Sequence, residues 1–154
     1  MGDVTQMLWD MEQIKQLKAR YFRALDTRDW EGWGQVFTED ARMEVSGEPV
    51  VVVEGRAEIV AFVRSRLSPG VSVHHGHMPE ITIESAREAT GIWAMFDYVQ
   101  AEPESGPPIG LVGYGHYHET YQKGADDRWR IRSMRLSRLR VDPIPPVPAI
   151  PATP

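Results

Sequence analysis

The stretch richest in reactive side chains is VSVHHGHMPEITIE, residues 71–84, where His74, His75 and His77 fall within four positions. Imidazole is the one side chain whose unperturbed pKa lies near neutrality, so a histidine aimed into a pocket takes up and returns protons. Such a base needs an acceptor facing one ring nitrogen. A carboxylate there fixes the tautomer and leaves the other nitrogen free to act. Asp26 ends an otherwise apolar helical stripe, where a carboxylate costs free energy unless it is paired. Alternatively Asp26 faces solvent or helps cap the next helix. Asp97 interrupts the row Trp93, Met95, Val99 on one strand face. It is either exposed at an open end of the sheet or buried for a purpose, with Arg138 as a partner in a functional or a structural ion pair. Tyr21 lies on the inner stripe of the first helix, so its hydroxyl needs a partner. In an ideal helix Tyr21 and Asp26 are about 140° apart, and they share a pocket only if it wraps the helix end. His116 and His118 share a strand face with Tyr114. Two histidines at i, i+2 suit zinc, but no third ligand is spaced to help, so no metal is expected. They are read as pocket lining or a subunit contact.

The elements that must hold these groups are legible from period and punctuation. Leu8, Met11, Ile14, Leu17, Tyr21 and Leu25 recur at spacings of three and four, which predicts a helix over 4–27 with Lys15, Lys18, Arg20 and Arg23 mostly off its apolar stripe. Asp29 caps a short second helix from Trp30 to about Phe37, weakened by Gly32 and Gly34. Residues 41–45 and 50–54 alternate around the turn Ser46-Gly47-Glu48-Pro49 and read as a hairpin. A third helix opens at Gly55-Arg56 and stops at Ser68-Pro69-Gly70. Strands follow at about 71–85, 89–101, 109–123 and 128–142. Long strands with short connections make a strongly curved antiparallel sheet. Helices grouped at one end of it give an α+β fold, a cone with an apolar interior suited to a small molecule. The expected domain is 1–142. Residues 143–154 form a proline-rich arm that cannot join a sheet interior, and it packs outside or crosses to a neighbouring subunit.

Bulk composition narrows the function. The 154 residues suit one domain with a real core, and a net charge of −5 argues against nucleic acid or a polybasic membrane surface. The absence of cysteine removes disulfides, thiolate nucleophiles and thiolate metal sites together. With no secretory pattern and no long apolar run, the expected location is cytoplasmic, with no membrane partner.

The order of elements, with Tyr21-Phe22-Arg23-Ala24-Leu25-Asp26 ending the first helix and Asp29-Trp30 following, resembles the SnoaL-like branch of the nuclear transport factor 2-like superfamily. His74-His75-Gly76-His77-Met78-Pro79-Glu80-Ile81-Thr82-Ile83 and Ala89-Thr90-Gly91-Ile92-Trp93 sharpen the resemblance toward bile-acid 7α-dehydratases, and more distantly toward scytalone dehydratase and hexachlorocyclohexane dehydrochlorinase. It spans about residues 8–142. The resemblance implies a cone-shaped α+β barrel and a catalytic set of Tyr21, Asp26, His74 and Asp97, with Arg138 on an active-site arginine. Val45 falls where the dehydratases keep a pocket tyrosine, and Val99 where scytalone dehydratase keeps a second histidine. The implied activity is a cofactor-independent lyase eliminating water or a similar group from a small apolar ring-containing substrate such as a steroid or polyketide. Isomerase or cyclase chemistry in the same pocket, or a non-catalytic binding or assembly module, are the rival readings. Trp30, Trp33, Phe62, Trp93, Met95 and Phe96 are expected in the walls, with His116 also lining the pocket. The open sheet face and the relatives imply a homo-oligomer, a trimer as in those relatives or a dimer as in other members of the fold.

Overall fold

The fold is known from a computed structural model, in which residues 3–147 are described. Helix α1 runs Val4–Asp26. Its first turn is capped by Asp3, whose carboxylate accepts the Thr5 amide at 2.9 Å. From Ile14 onward the stripe is buried, through Leu17, Tyr21 and Leu25. The first turns depart from the expected stripe, because Leu8 and Trp9 are exposed. Arg28 turns the chain with a left-handed φ of 63°. Asp29 then accepts the Gly32 amide and caps α2, Trp30–Gly34. This helix stops short of Phe37, which instead starts β1, Phe37–Val45. Two glycines give α2 little propensity of its own, whereas Phe37 gains a fully buried place beside Ile131 on the sheet.

Strand β2, Val51–Glu54, returns beside β1, and α3, Arg56–Leu67, follows. Arg56 donates to the Phe37 carbonyl at 2.6 and 3.1 Å, tying α3 to the start of β1. Four long strands complete the chain: β3 Gly70–Ile83, β4 Glu88–Ala101, β5 Ile109–Lys123 and β6 Trp129–Pro143. The sheet order is β2-β1-β6-β5-β4-β3. Pairing is antiparallel except that β1 lies parallel to β6, so the sheet is mixed, and it ends in β2 and β3 rather than closing on itself. Register shifts at His77/Glu80, Tyr114/Gly115 and Thr120/Tyr121 bend the long strands around the helices. This is the cone-shaped α+β fold expected from the element order.

The concave face carries the core. Ile14, Trp33, Ala41, Ile59 and Ile131 are wholly buried there. Each such large side chain contributes about 1.5–3 kcal/mol on leaving water. Alternation puts Trp93, Met95, Asp97 and Val99 of β4 on this face, and Gly113, Gly115, Tyr117, Glu119 and Tyr121 of β5. The beginning of the proline-rich segment packs on its own chain. The Ile144 amide donates to Gly110, and Gln100 brackets Pro145 and Val147 with its side-chain amide. The remainder of the expected arm lies outside the described residues. Among the described residues no helix is long and apolar enough to cross a membrane.

Candidate active site

The site is built where the end of α1 meets β3. Strand alternation turns Ser72 and His74 inward, while Val71, Val73, His75 and His77 face out. Asp26, the last residue of α1, receives three donors from that strand. The His74 amide donates to Oδ2 at 2.8 Å, and the Ser72 hydroxyl to Oδ1 at 3.0 Å. His74 Nδ1 lies 2.6 Å from Oδ1. An ionised carboxylate only accepts, so Nδ1 is the donor of this bond and Nε2 is the ring nitrogen turned away from Asp26. Arg28 braces the arrangement from behind, donating to Ser72 Oγ at 2.8 Å and to the carbonyls of Leu25 and Gly70. The 140° between Tyr21 and Asp26 is thereby resolved. Tyr21 faces the cavity directly, while Asp26 stands behind the imidazole, and His74 joins the two positions.

His74 opens onto a cavity of about 370 Å³, which lies within the range of small-molecule sites, roughly 300–1,000 Å³. Most of its wall is apolar, with Leu25, Val63, Leu67, Val99 and Leu136 among the contributors. The polar groups are few: Tyr21, His74, Asp97, Tyr117 and Arg138, with exposed Arg66 at the solvent end. Both the Tyr21 and the Tyr117 side chains line the cavity. Burial, assisted by the negative charges of Glu119, Asp26 and Asp97, holds both phenols well above their ordinary pKa, so they are O–H donors at any working pH.

Asp97 and Arg138 form a two-pronged pair, Nη1 to Oδ1 at 2.9 Å and Nη2 to Oδ2 at 2.6 Å. Burial alone would lower the arginine's pKa, but the Asp97 bonds outweigh it and the net shift is upward. Gly113 makes room for them. A Cβ there would sit 1.9 Å from Arg138 Nη1 and 2.2 Å from Asp97 Oδ1. Deeper still, Lys18 and Glu119 make a buried ion pair at 2.5 Å.

The structure thus brings Tyr21, His74, Asp97, Arg138 and Phe62 to one cavity, with Asp26 directly behind His74. Other expected wall residues are elsewhere. Trp33, Trp93 and Met95 are core residues outside the cavity lining, and Trp30 packs against Trp33. Trp33, Trp93 and Met95 are too deep in the layer between helices and sheet to meet a ligand, while half-buried Trp30 packs at the edge of that core. His116 does not line the pocket, because Tyr117 on the same strand points inward and His116 must point out. His118 shares that outer face and contacts Ser137 at 3.2 Å. Phe96 is on the outer face too, against His75 and Tyr114. Among the described residues no group of three or more metal-ligating side chains converges. Tyr117, Ser72 and Arg28 are the site residues that sequence reading missed. The alternation Gly113, Gly115, Tyr117, Glu119, Tyr121 was the available signal for the first.

A bent sheet over three helices, holding an apolar hollow with a carboxylate-oriented imidazole, defines a class of small-molecule-handling α+β domains. The model of the SnoaL-like domain matches residues 6–135, and the chain belongs to that family, within the nuclear transport factor 2-like superfamily. It is 27% identical over 135 residues to the probable cyclase FGR4 of Gibberella zeae, covering 82% of this chain and 89% of the cyclase. A putative scytalone dehydratase from Novosphingobium aromaticivorans superposes with a TM-score of 0.79 at 18% identity, covering 92% of each chain. A hexachlorocyclohexane dehydrochlorinase, LinA type 2, gives 0.80 at 15% identity, covering 97% of this chain and 98% of the other. At such identities the two structures establish the shared fold.

Proposed function

We propose that this protein is a cofactor-independent enzyme of the lyase type, eliminating water or a comparable leaving group from a small, largely apolar, ring-containing molecule. The observation that carries the reading is the 2.6 Å contact between His74 Nδ1 and Asp26, made at the wall of an apolar cavity. His74 Nε2 removes a proton from a carbon next to a carbonyl, and the C–H electron pair moves toward that carbonyl. Tyr21 and Tyr117 donate hydrogen bonds to the oxygen as negative charge develops on it. Collapse of this enolate forms the C=C bond and breaks the C–O bond at the neighbouring carbon. The imidazolium returns its proton to the departing hydroxide, so water leaves and His74 is regenerated. Asp26 stabilises the imidazolium between the two steps. The Asp97–Arg138 pair fixes the polar end of the cavity. The dehydratase and dehydrochlorinase folds support this reading.

The 27% identity to a probable cyclase favours a second outcome of the same opening step. An enolate held by two phenols also isomerises or closes a ring when no leaving group is present. We further place the protein in the cytoplasm as a homo-oligomer, with residues 1–142 as one catalytic domain and 143–154 as an arm. The exposed outer-face residues Val73, Ile92 and Tyr114 support an assembled state.

Product analysis tests the reading. Incubation with a panel of hydroxylated steroid and polyketide ketones should give products that have lost water, and a cyclase or isomerase should give products of unchanged mass. His74→Ala should slow turnover by about 10²–10⁴-fold, the usual worth of a positioned general base. Near-full turnover by that variant would refute the mechanism. Ligand binding without turnover of any compound would leave a binding module.

A further inference from the structure

The buried pair of Lys18 and Glu119 has no part in the chemistry just described. The ammonium lies 2.5 Å from Glu119 Oε1, and the two side chains are 1% and 0% exposed. Lys18 stands one turn before Tyr21 on α1, and Glu119 two residues after Tyr117 on the same face of β5. Withdrawing two charges from water offsets most of their attraction, and well-packed apolar replacements of such pairs are often as stable. Stability alone gives little reason for the pair.

Its placement gives a better one. Lys18 Nζ is 3.9 Å from the centre of the Tyr21 ring and 3.7 Å from that of Tyr117, with Phe22 at 4.8 Å. The cation therefore rests on the faces of the two phenols whose hydroxyls turn to the cavity. Glu119 directs its second oxygen elsewhere, accepting the Tyr121 hydroxyl at 2.5 Å, and Tyr121 in turn accepts the Trp93 indole N–H at 2.8 Å. A positive charge on the face of a phenol draws on the ring's electrons. The O–H becomes a stronger donor, and negative charge developing opposite it is better stabilised.

We propose that Lys18, held in place by Glu119, is a positioning residue that strengthens the Tyr21–Tyr117 hydroxyl pair as a receiver of negative charge, fitting the cavity to ligands with an enolate- or phenolate-like oxygen. The proposal rests on the reading above, in which those hydroxyls meet the reacting oxygen. The charges facing the phenols are Lys18 and Asp26 from α1, Asp97 from β4, Glu119 from β5 and Arg138 from β6. Glu119, Asp26 and Asp97 oppose the effect, while Arg138 acts with Lys18 on Tyr117.

The test uses 4-nitrophenol, whose absorbance separates phenolate from phenol, titrated into the full-length protein, with nitrobenzene as an uncharged ligand of similar shape. Wild type should hold the probe ionised at lower pH than free solution does. Lys18→Met/Glu119→Gln, which removes the cation together with its counter-charge, should shift the bound ratio back toward phenol by about tenfold while nitrobenzene affinity stays within about twofold. Lys18→Arg should restore most of the effect. Equal bound ratios in wild type and the Lys18→Met/Glu119→Gln double variant would overturn the proposal. A Tyr21→Phe/Tyr117→Phe variant separates the two layers. If it shifts the ratio and the lysine change does not, the cavity reading stands and the role of Lys18 falls. If it leaves the ratio unchanged, or if wild type binds no probe, both fall.

Discussion

The Asp97–Arg138 pair offers the sharpest test of the site's physics, because its two halves fail differently. Asp97 is 2% exposed and Arg138 19%, so solvent screens the pair weakly. With charge centres about 4 Å apart and an effective dielectric of about 20, the attraction is on the order of 4 kcal/mol. Desolvation takes back much of that when the pair is compared with an apolar filling. It does not do so when only one partner is removed. Arg138→Met leaves a carboxylate buried without its cation, a defect that costs about 3–5 kcal/mol. For a domain of this size each kcal/mol moves Tm by roughly 2–4 °C, so the variant should melt about 10 °C below wild type. Arg138→Met combined with Asp97→Leu removes both charges and fills the space. Its Tm should return to within about 3 °C of wild type. Thermal unfolding followed by circular dichroism reads both. A single variant as stable as wild type would mean that the carboxylate is not confined as described. A double variant as unstable as the single would show that the pair is worth more than its charges, and the reasoning would fail. Activity divides the question further: a stable double variant that no longer turns over substrate would give the pair a role beyond holding two strands.

Two more predictions follow from named contacts. Gly113→Ala places a methyl group into the Arg138–Asp97 bonds and should destabilise by about 2–4 kcal/mol, yet add little on top of Arg138→Met, since both changes break one interaction; an additive double variant in a melting series would contradict this. Asp10 accepts from Lys123 at 2.6 Å and from Trp129 at 2.9 Å, and although burial pulls its pKa up, these bonds outweigh it and the net shift is below 3.8. A depressed carboxylate contributes stability above its unfolded pKa and loses it as pH falls through the folded one. Asp10→Asn should therefore melt below wild type near neutrality, and the gap should close below pH 3.8; denaturant melts in which the gap stays constant into stronger acid would refute it.

The fold was legible because period and punctuation are strong in this chain. The stripe from Ile14 to Leu25, the stop at Ser68-Pro69-Gly70 and the long alternating strands each matched an element. The faces of the strands were harder to read. On β3 the apolar valines 71 and 73 point out, and the polar Ser72 and His74 point in. The rule that apolar residues go inside is inverted where a strand lines a cavity with polar groups and its outer face is also greasy. The same ambiguity misplaced His116, whose register with Tyr114 and His118 was right and whose side of the sheet was not. Lys18 is the other instructive miss. Its spacing from Ile14 and Tyr21 puts it on the buried stripe, but a lysine there looks wrong until its partner is known. That partner, Glu119, is 101 residues away. Long-range pairing of charges leaves no local signal. The Asp26–His74 contact was reachable from sequence because Asp26 broke a local pattern, whereas the partner of Lys18 was not, because nothing near either residue in the chain points to the other.

The arrangement also says how the candidate groups are held. Asp26 closes α1, and Ser72 and His74 lie on β3, an edge strand of the sheet. An edge strand has one free side, so it can be clamped by a helix end without disturbing a ladder on both flanks. The clamp here is Asp26 taking the His74 amide as well as its ring. One carboxylate thus fixes both the backbone and the imidazole, which leaves His74 little freedom to swing out of register. The donors come instead from the middle of the structure, Tyr21 from a buried helix face and Tyr117 from β5, which is paired on both sides. The imidazole and the two phenols are therefore anchored on separate, independently braced elements across one hollow. A ligand that fits between them meets groups already in position, and the cost of holding that geometry is met during folding rather than during reaction.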